Sequence, residues 1–288
     1  MSVINTNVNS LVAQNAVNVN ARSLSKAMEQ LSTGKRINGS KDDAAGLSIS
    51  QIMTAQIRGL NQAVRNANDG VSLLQTADGA MIEQTNMLQR MRELAVQSAS
   101  DTVTPDQKQY LDKEFQALLT EVDRIGGATQ WNGKNLLDAS GGAAAGGTYV
   151  IQVGANASQN ISVSIGKATS GGSGIYADIV GAKIVDNSTT PTASTSDATA
   201  AISNIDKALK AANNQRAVIG AGINQLTYAA DNLSNISMNT AASRSRIEDT
   251  DYATASTELA RTQIIQQAAT AMLAQANQSP QSVLALLK

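Results

Sequence analysis

Apolar side chains at Met53, Ile57, Leu60, Val64, Ala67, Val71 and Leu74 alternate at spacings of four and three. That spacing keeps one stripe of an α-helix facing a partner helix over many turns. A second register through Ala77, Met81, Leu88, Met91 and Ala95 takes over after Leu74, as a long helix drifts against a seven-residue repeat. The pattern predicts a helix over residues 40–99, roughly 80 to 90 Å long at about 1.5 Å per residue. Ser40-Lys41-Asp42-Asp43 has the form of a capping box and is expected to start it. Gly59, Gly70 and Gly79 interrupt the helix, each at about 1 kcal/mol relative to Ala, and are expected at points of close approach.

Further along, Thr104-Pro105-Asp106-Gln107 supplies an N-cap, a proline at the first helical position and a reciprocal glutamine. Leu111, Phe115, Leu118, Val122 and Ile125 continue that helix, which Gly126-Gly127 is expected to end. Trp131-Asn132-Gly133-Lys134 reads as a hairpin turn. Period-two alternation at Tyr149, Ile151 and Val153, and again at Ile161, Val163 and Ile165, predicts a β-hairpin with one buried face. Residues 166–197, rich in Ser, Thr, Gly and Ala, read as a small β excursion followed by a loop. Helix returns near Asp197 and holds to Ser237 or beyond, through Ile202, Ile205, Leu209, Ala212, Ile219, Ile223, Leu226, Ala230 and Leu233, broken only by Arg216.

Both ends are amphipathic and free of charge. From Met1 to Ala21 the apolar positions are Val3, Ile4, Val8, Leu11, Val12, Val17 and Val19 among Asn, Gln, Ser and Thr, and Arg22 is the first charged residue. Ala21, Leu24, Met28 and Leu31 continue the stripe to Gly34, a helix stop. From Thr262 to Leu287, Ile264, Ile265, Ala269, Met272, Leu273 and Ala276 sit among Gln and Asn. A neutral polar face suits burial beside copies of itself, where charges would need partners. The expected fold is mainly α: a long antiparallel helical bundle or coiled coil built from the N- and C-terminal halves, with a small β-hairpin region at the tip. The expected divisions are 1–39, 40–165, 166–197, 198–245 and 246–288.

Composition removes whole classes of function. The 288-residue chain has no Cys and no His, which excludes thiol nucleophiles, disulfides, the common zinc and haem sites, and Ser-His-Asp relays. No cofactor or metal is expected. A formal charge of −1, with only 16% charged residues, gives no cluster of cations for nucleic acid or an anionic membrane surface. The first residues lack the basic segment and apolar run of a cleaved signal, and no run approaches a membrane span. Ser23-Leu24-Ser25-Lys26 has the spacing of acylating serine enzymes but lies in an amphipathic helix without companion motifs. Gly171 to Gly174 lacks the strand-then-helix context of a phosphate cradle. On composition an enzyme remains possible only through carboxylates, Lys or Tyr, and neither of these motifs supports one.

Several motifs in order resemble bacterial flagellin: Met1-Ser2-Val3-Ile4-Asn5-Thr6-Asn7, Leu31-Ser32-Thr33-Gly34-Lys35-Arg36-Ile37-Asn38, and Asp42-Asp43-Ala44-Ala45-Gly46-Leu47. So do Gln89-Arg90-Met91-Arg92-Glu93-Leu94-Ala95-Val96, Gln152-Val153-Gly154-Ala155-Asn156, Ser243-Arg244-Ser245-Arg246-Ile247-Glu248-Asp249, and the ending Leu273-Ala274-Gln275-Ala276-Asn277 to Val283-Leu284-Ala285-Leu286-Leu287. The resemblance covers roughly residues 1–165 and 198–288. It implies a secreted subunit that self-assembles into the helical flagellar filament for motility, located in the extracellular flagellum. Residues 1–39 and 246–288 would form the inner tube, 40–165 and 198–245 the core bundle, and 166–197 a short variable surface region. Type III export, a secretion chaperone covering about residues 240–288, and filament cap and hook-junction proteins are implied partners. The resemblance also implies contact with the animal Toll-like receptor for flagellin through Gln89, Arg90, Leu94 and Glu114. Val283, Leu284, Leu286 and Leu287 match a terminus used in assembly and read by cytosolic innate sensors. The runner-up is a hook-filament junction protein, which shares the paired terminal helices.

Overall fold

The computed structural model describes residues 7–142, 147–171, 174–179, 182–184 and 195–285, the last segment without the side chains of residues 195–196 and 279–285. They form two compact units, Met1–Ile57 with Met238–Lys288, and Arg58–Ser237. The mainly helical chain with a small antiparallel hairpin region agrees with the fold read from the sequence.

In the first unit, α1 (Val8–Thr33) pairs with α5 (Tyr252–Ala285). Their direction is antiparallel: the Asn7 amide donates to the Ala276 carbonyl at 2.8 Å, and the Ser10 hydroxyl to Asn277 at 2.7 Å. The unit also holds the start of α2 (Ala44–Ser98) and the end of α4 (Thr195–Glu248). Gly34 caps α1 in the left-handed conformation at φ 70, which a residue without Cβ reaches freely. Helix α2 begins later than the expected Ser40, because the Asp43 carboxylate accepts the N–H of Gly46 at 2.8 Å and is the N-cap.

In the second unit, α2 contributes Leu74, Ala77, Met81, Leu88, Met91 and Ala95, all at 0% exposure, so both stripes read from the sequence face the core. Helix α3 (Pro105–Ala128) adds Phe115 and Val122, and α4 adds Ile205, Ile219 and Leu226. The capping box at Thr104 is formed in both directions. Gly126-Gly127 does not end α3, which runs to Ala128. Gly126 is instead a contact point, where an added Cβ would lie 2.4 Å from the Ala168 carbonyl.

Strands β1 (Gln130–Trp131) and β2 (Lys134–Asn135) close through Asn132 at φ 48 and Gly133 at φ 75, the backbone of a type I′ turn. Strands β3 (Thr148–Gln152) and β4 (Asn160–Ser164) pair antiparallel in the register Thr148–Ser164 to Gln152–Asn160. This hairpin packs against α2 and α4. A Cβ on Gly70 would meet Ile151 at 2.6 Å and one on Gly222 would meet Val163 at 2.9 Å, while the Asn66 amide donates to the Gln152 carbonyl. Gly59 likewise approaches Ala155, whereas Gly79 has no neighbour within 4 Å among the described residues.

Residues 185–194 of the expected loop lie outside the described residues, and the described part of the segment after β4 departs from the expected β excursion. Its described residues contain no strand but a short 3-10 turn, η1 (Ala177–Ile179), and Tyr176, Ile179 and Ile184 are buried. Side chains of α2 and α3 hold it. Gln84 donates to Ala168, Gln116 to Ala182, and Asp123 and Asp112 accept the N–H groups of Ser170 and Ile184. Gly171 and Gly174 are described, but the residues between them lie outside the described set.

Candidate assembly surfaces

The seam between α1 and α5 mixes small and polar residues with leucines. On α1 the partly or fully covered positions are Ser10, Ala13, Val17, Asn20, Ala21, Leu24, Ala27, Gln30 and Leu31, on α5 Ala255, Leu259, Thr262, Gln266, Ala269, Leu273 and Ala276. Small residues let the two backbones approach. Val8, Leu11, Val12 and Val19 are 47 to 63% exposed and Ile264, Ile265 and Met272 40 to 67%. Of the expected apolar positions on α1, Val17, Ala21, Leu24 and Leu31 are at least partly covered, whereas Val8, Leu11, Val12, Val19 and Met28 are exposed. The 3-4 spacing of the true seam was present in the sequence but disguised by its polar members.

Below this pair, the connector between α1 and α2 is tied to the one between α4 and α5. The N–H of Arg36 donates to the Glu248 carbonyl at 2.7 Å, and that of Thr250 to the Gly34 carbonyl at 3.0 Å. The Arg36 guanidinium donates to the Ile247 carbonyl at 2.6 Å. The Glu248 carboxylate receives Lys35 at 2.5 Å and lies 3.9 Å from Arg244. Asp42, its side chain 7% exposed, takes the Lys26 ammonium at 3.1 Å and accepts from the N–H groups of Asn38 and Gly39 at 3.3 Å. The Lys26 hydrogen bond, helped by those N–H groups against the opposing effect of burial, holds this carboxyl below its usual range. Lys26, the last residue of the Ser23-x-x-Lys26 spacing, is thus engaged in an ion pair with the connector.

The residues singled out on α2 divide into two groups. Gln89 and Arg90 are exposed. The Arg90 guanidinium donates to Glu114 at 3.0 and 3.1 Å and to Glu93 at 3.0 Å, joining α2 to α3 across 24 residues of sequence. The hydrogen bond to Glu93, then that to Glu114, holds it more firmly charged than usual. Arg92 makes a matching pair with Asp206 of α4 at 2.7 Å. Leu94, in contrast, is 1% exposed and packs in the core. Its contribution to this surface is to fix the helix beneath Arg90. Val283 and Leu284 lie in the last turn of α5 with side chains outside the described residues, and Leu286 and Leu287 are also outside them.

Among the described residues no helix is long and apolar enough to cross a membrane, and no group of three or more His, Cys, Asp or Glu could hold a metal ion.

The model of the bacterial flagellin N-terminal helical region matches residues 4–141, and that of the C-terminal helical region matches residues 202–287. Flagellin from Halalkalibacterium halodurans is 44% identical over 286 residues, covering 99% of this chain and 100% of that protein. The chain belongs to the bacterial flagellins. A flagellar filament 31.3 kDa core protein from Treponema maltophilum is 39% identical over 291 residues, covering 99% of this chain and 100% of its own length. A crystal structure of Bacillus cereus flagellin superposes with a TM-score of 0.47 at 29% identity, covering 62% of this chain and 94% of that one. Three motifs that point to flagellin, at residues 31–38, 42–47 and 243–249, meet in space at the tied connectors. The flagellin signature in those stretches is therefore written largely in residues that hold two chain crossings together.

Proposed function

We propose that the chain is the secreted structural subunit of a bacterial flagellar filament, polymerising with copies of itself through the outward faces of α1 and α5. The observation that carries this reading is the terminal helix pair, whose fully buried members are Asn20, Ala27, Ala255 and Thr262 while Val12, Ile264 and Met272 stand more than 60% exposed. Each large apolar side chain covered by a neighbouring copy contributes roughly 1 to 2 kcal/mol, and α1 up to Ala21 has no charge that would oppose such stacking. The filament name carried by the Treponema relative supports the same reading. Export without signal cleavage, a chaperone over about residues 240–288, and cap and hook-junction proteins at the filament ends belong to it. Purified chain added to filament fragments should elongate them into fibres visible by electron microscopy, and deletion of residues 1–20 or 262–288 should abolish growth. A hook-filament junction protein would add a few copies and stop.

A second reading concerns Gln89, Arg90 and Glu114. Exposed ion pairs contribute little to stability, so the Arg90–Glu114 bridge supports a role in recognition, as a contact for the Toll-like receptor for flagellin. Leu94 supports that surface from below. The terminal residues Val283, Leu284, Leu286 and Leu287 belong with assembly and with cytosolic innate sensors. Truncation after residue 282 should reduce both, and retention of both would remove the assignment.

A further inference from the structure

We propose that Asn20, together with Thr262 and Gln266, forms a polar layer that fixes which helix pairs with α1 and in which register. The layer sits in the middle of the α1–α5 seam. Asn20 is 7% exposed, and its side-chain amide spends both hydrogens across the seam, on the Thr262 carbonyl at 2.8 Å and the Gln266 side-chain oxygen at 3.0 Å. Thr262 is 2% exposed, and its hydroxyl is satisfied within its own helix by the carbonyls of Glu258 and Leu259. The carbonyl is thus what it offers to Asn20.

Apart from the hydrogen bonds of Asn7 and Ser10 at its far end, the seam around this layer carries little pairing information. Ala13, Val17, Leu24 and Ala27 face Ala255, Leu259, Ala269 and Leu273, side chains that repeat at heptad spacing and interdigitate nearly as well one heptad away. The tied connectors at Arg36 and Glu248 set the register at one end, but the distal half, from Asn20 back to Asn7, lies two or more heptads from that tie. There the layer supplies the buried hydrogen bond, while those of Asn7 and Ser10 at the far end are open to water and to exchange. A seven-residue slip would bring Asn20 against Ala269 and Leu273, or against Ala255 and Leu259, and Thr262 against Ala27 or Ala13. The buried amide would lose both acceptors, the situation in which one asparagine specifies register and partner in a coiled coil at some expense of stability. Exchange of α5 with the exposed apolar face of a helix from another copy is opposed for the same reason. The layer is a specificity device for the chain's own ends, and it does not rest on the filament reading.

The chain has no cysteine, so introduced pairs report the pairing directly. Ala13→Cys with Ala269→Cys repeats the Asn20–Thr262 relationship one heptad along, and Ala13→Cys with Ala276→Cys reports the slipped register. After oxidation of the full-length chain, both free in solution and grown onto filament fragments, peptide mapping should show in at least one of the two states the intrachain 13–269 link exceeding both the 13–276 link and interchain links on the order of tenfold or more. With Asn20→Leu added, the three products should come within about threefold of each other, with helical circular dichroism retained. Gln266→Leu, which removes one acceptor only, should give an intermediate ratio. Retention of the parent selectivity in both variants would overturn the proposal, as would absence of the 13–269 link in the parent. Seeded elongation, read separately, reports on the filament assignment alone.

Discussion

The Tyr176 hydroxyl donates to the side-chain oxygen of Gln84 at 3.1 Å, and both residues are at 0% exposure. Gln84 also donates to the carbonyls of Val122 and Ala168. One glutamine of α2 therefore joins α3 and the segment after β4 inside an otherwise apolar core. Gln84→Leu would leave the Tyr176 hydroxyl and the Ala168 carbonyl without this partner, and should destabilise the second unit by about 2 to 4 kcal/mol in urea unfolding. Tyr176→Phe removes one donor and should cost about 1 to 2 kcal/mol. Burial pushes the Tyr176 phenol above its ordinary value. Its contribution is thus fully present below the unfolded pKa of about 10 and lost as pH rises beyond it, and that part of the alkaline sensitivity should vanish in Tyr176→Phe.

Two glycines in helices should respond to the same substitution with opposite sign. Gly79 has no neighbour within 4 Å among the described residues, so Gly79→Ala should stabilise by about 0.5 to 1 kcal/mol through helix propensity. Gly126→Ala would force a methyl to within 2.4 Å of the Ala168 carbonyl and should destabilise by about 2 kcal/mol or more. Paired thermal melts of the two variants decide the point.

Acid should loosen the tied connectors. Asp42 is held below its usual range by Lys26 and two backbone N–H groups, so the stability it contributes is present above the unfolded pKa of about 3.9 and is lost as pH falls through the lower folded value. Asp42→Asn should melt below the parent at neutral pH, with the gap closing as both approach about pH 2. A gap that stays constant would assign Asp42 no electrostatic role.

Arg90→Ala and Glu114→Ala should each leave thermal stability within about 0.5 kcal/mol of the parent, since the pair is exposed, while lowering activation of the flagellin receptor in a cell reporter assay. Leu94→Ala should behave differently and cost about 2 to 4 kcal/mol, because the side chain is 1% exposed. Unchanged activation in both charge variants would remove the recognition role.

Much of the bundle was legible because its side chains repeat. The stripes through Leu60, Ala67 and Leu74 and through Met81, Leu88 and Met91 needed only helical periodicity, and the Thr104 cap and Asn132-Gly133 turn are local chemistry. What sequence patterns missed depends on partners far along the chain. Gly126 looks like a helix stop until Ala168 is placed against it. The segment holding Tyr176 looks like a loop because Gln84, Asp112, Gln116 and Asp123, which anchor it, lie 47 to 92 positions away. On α1 the apolar pattern did not separate Val17, Leu24 and Leu31, which the pair covers, from Val8, Leu11, Val12, Val19 and Met28, which stand exposed for a neighbour.

That last point gives the most direct measurement. Val12→Asp and Met272→Asp place charge on the outward faces at positions 63 and 65% exposed, where the isolated chain should tolerate them. In seeded elongation followed by electron microscopy, the parent chain should extend filament fragments into long fibres and both variants should fail to extend them, with helical content and the melting of the second unit unchanged. Growth of the variants at the parent rate, or failure of the parent chain to extend any flagellin seed, would contradict the account.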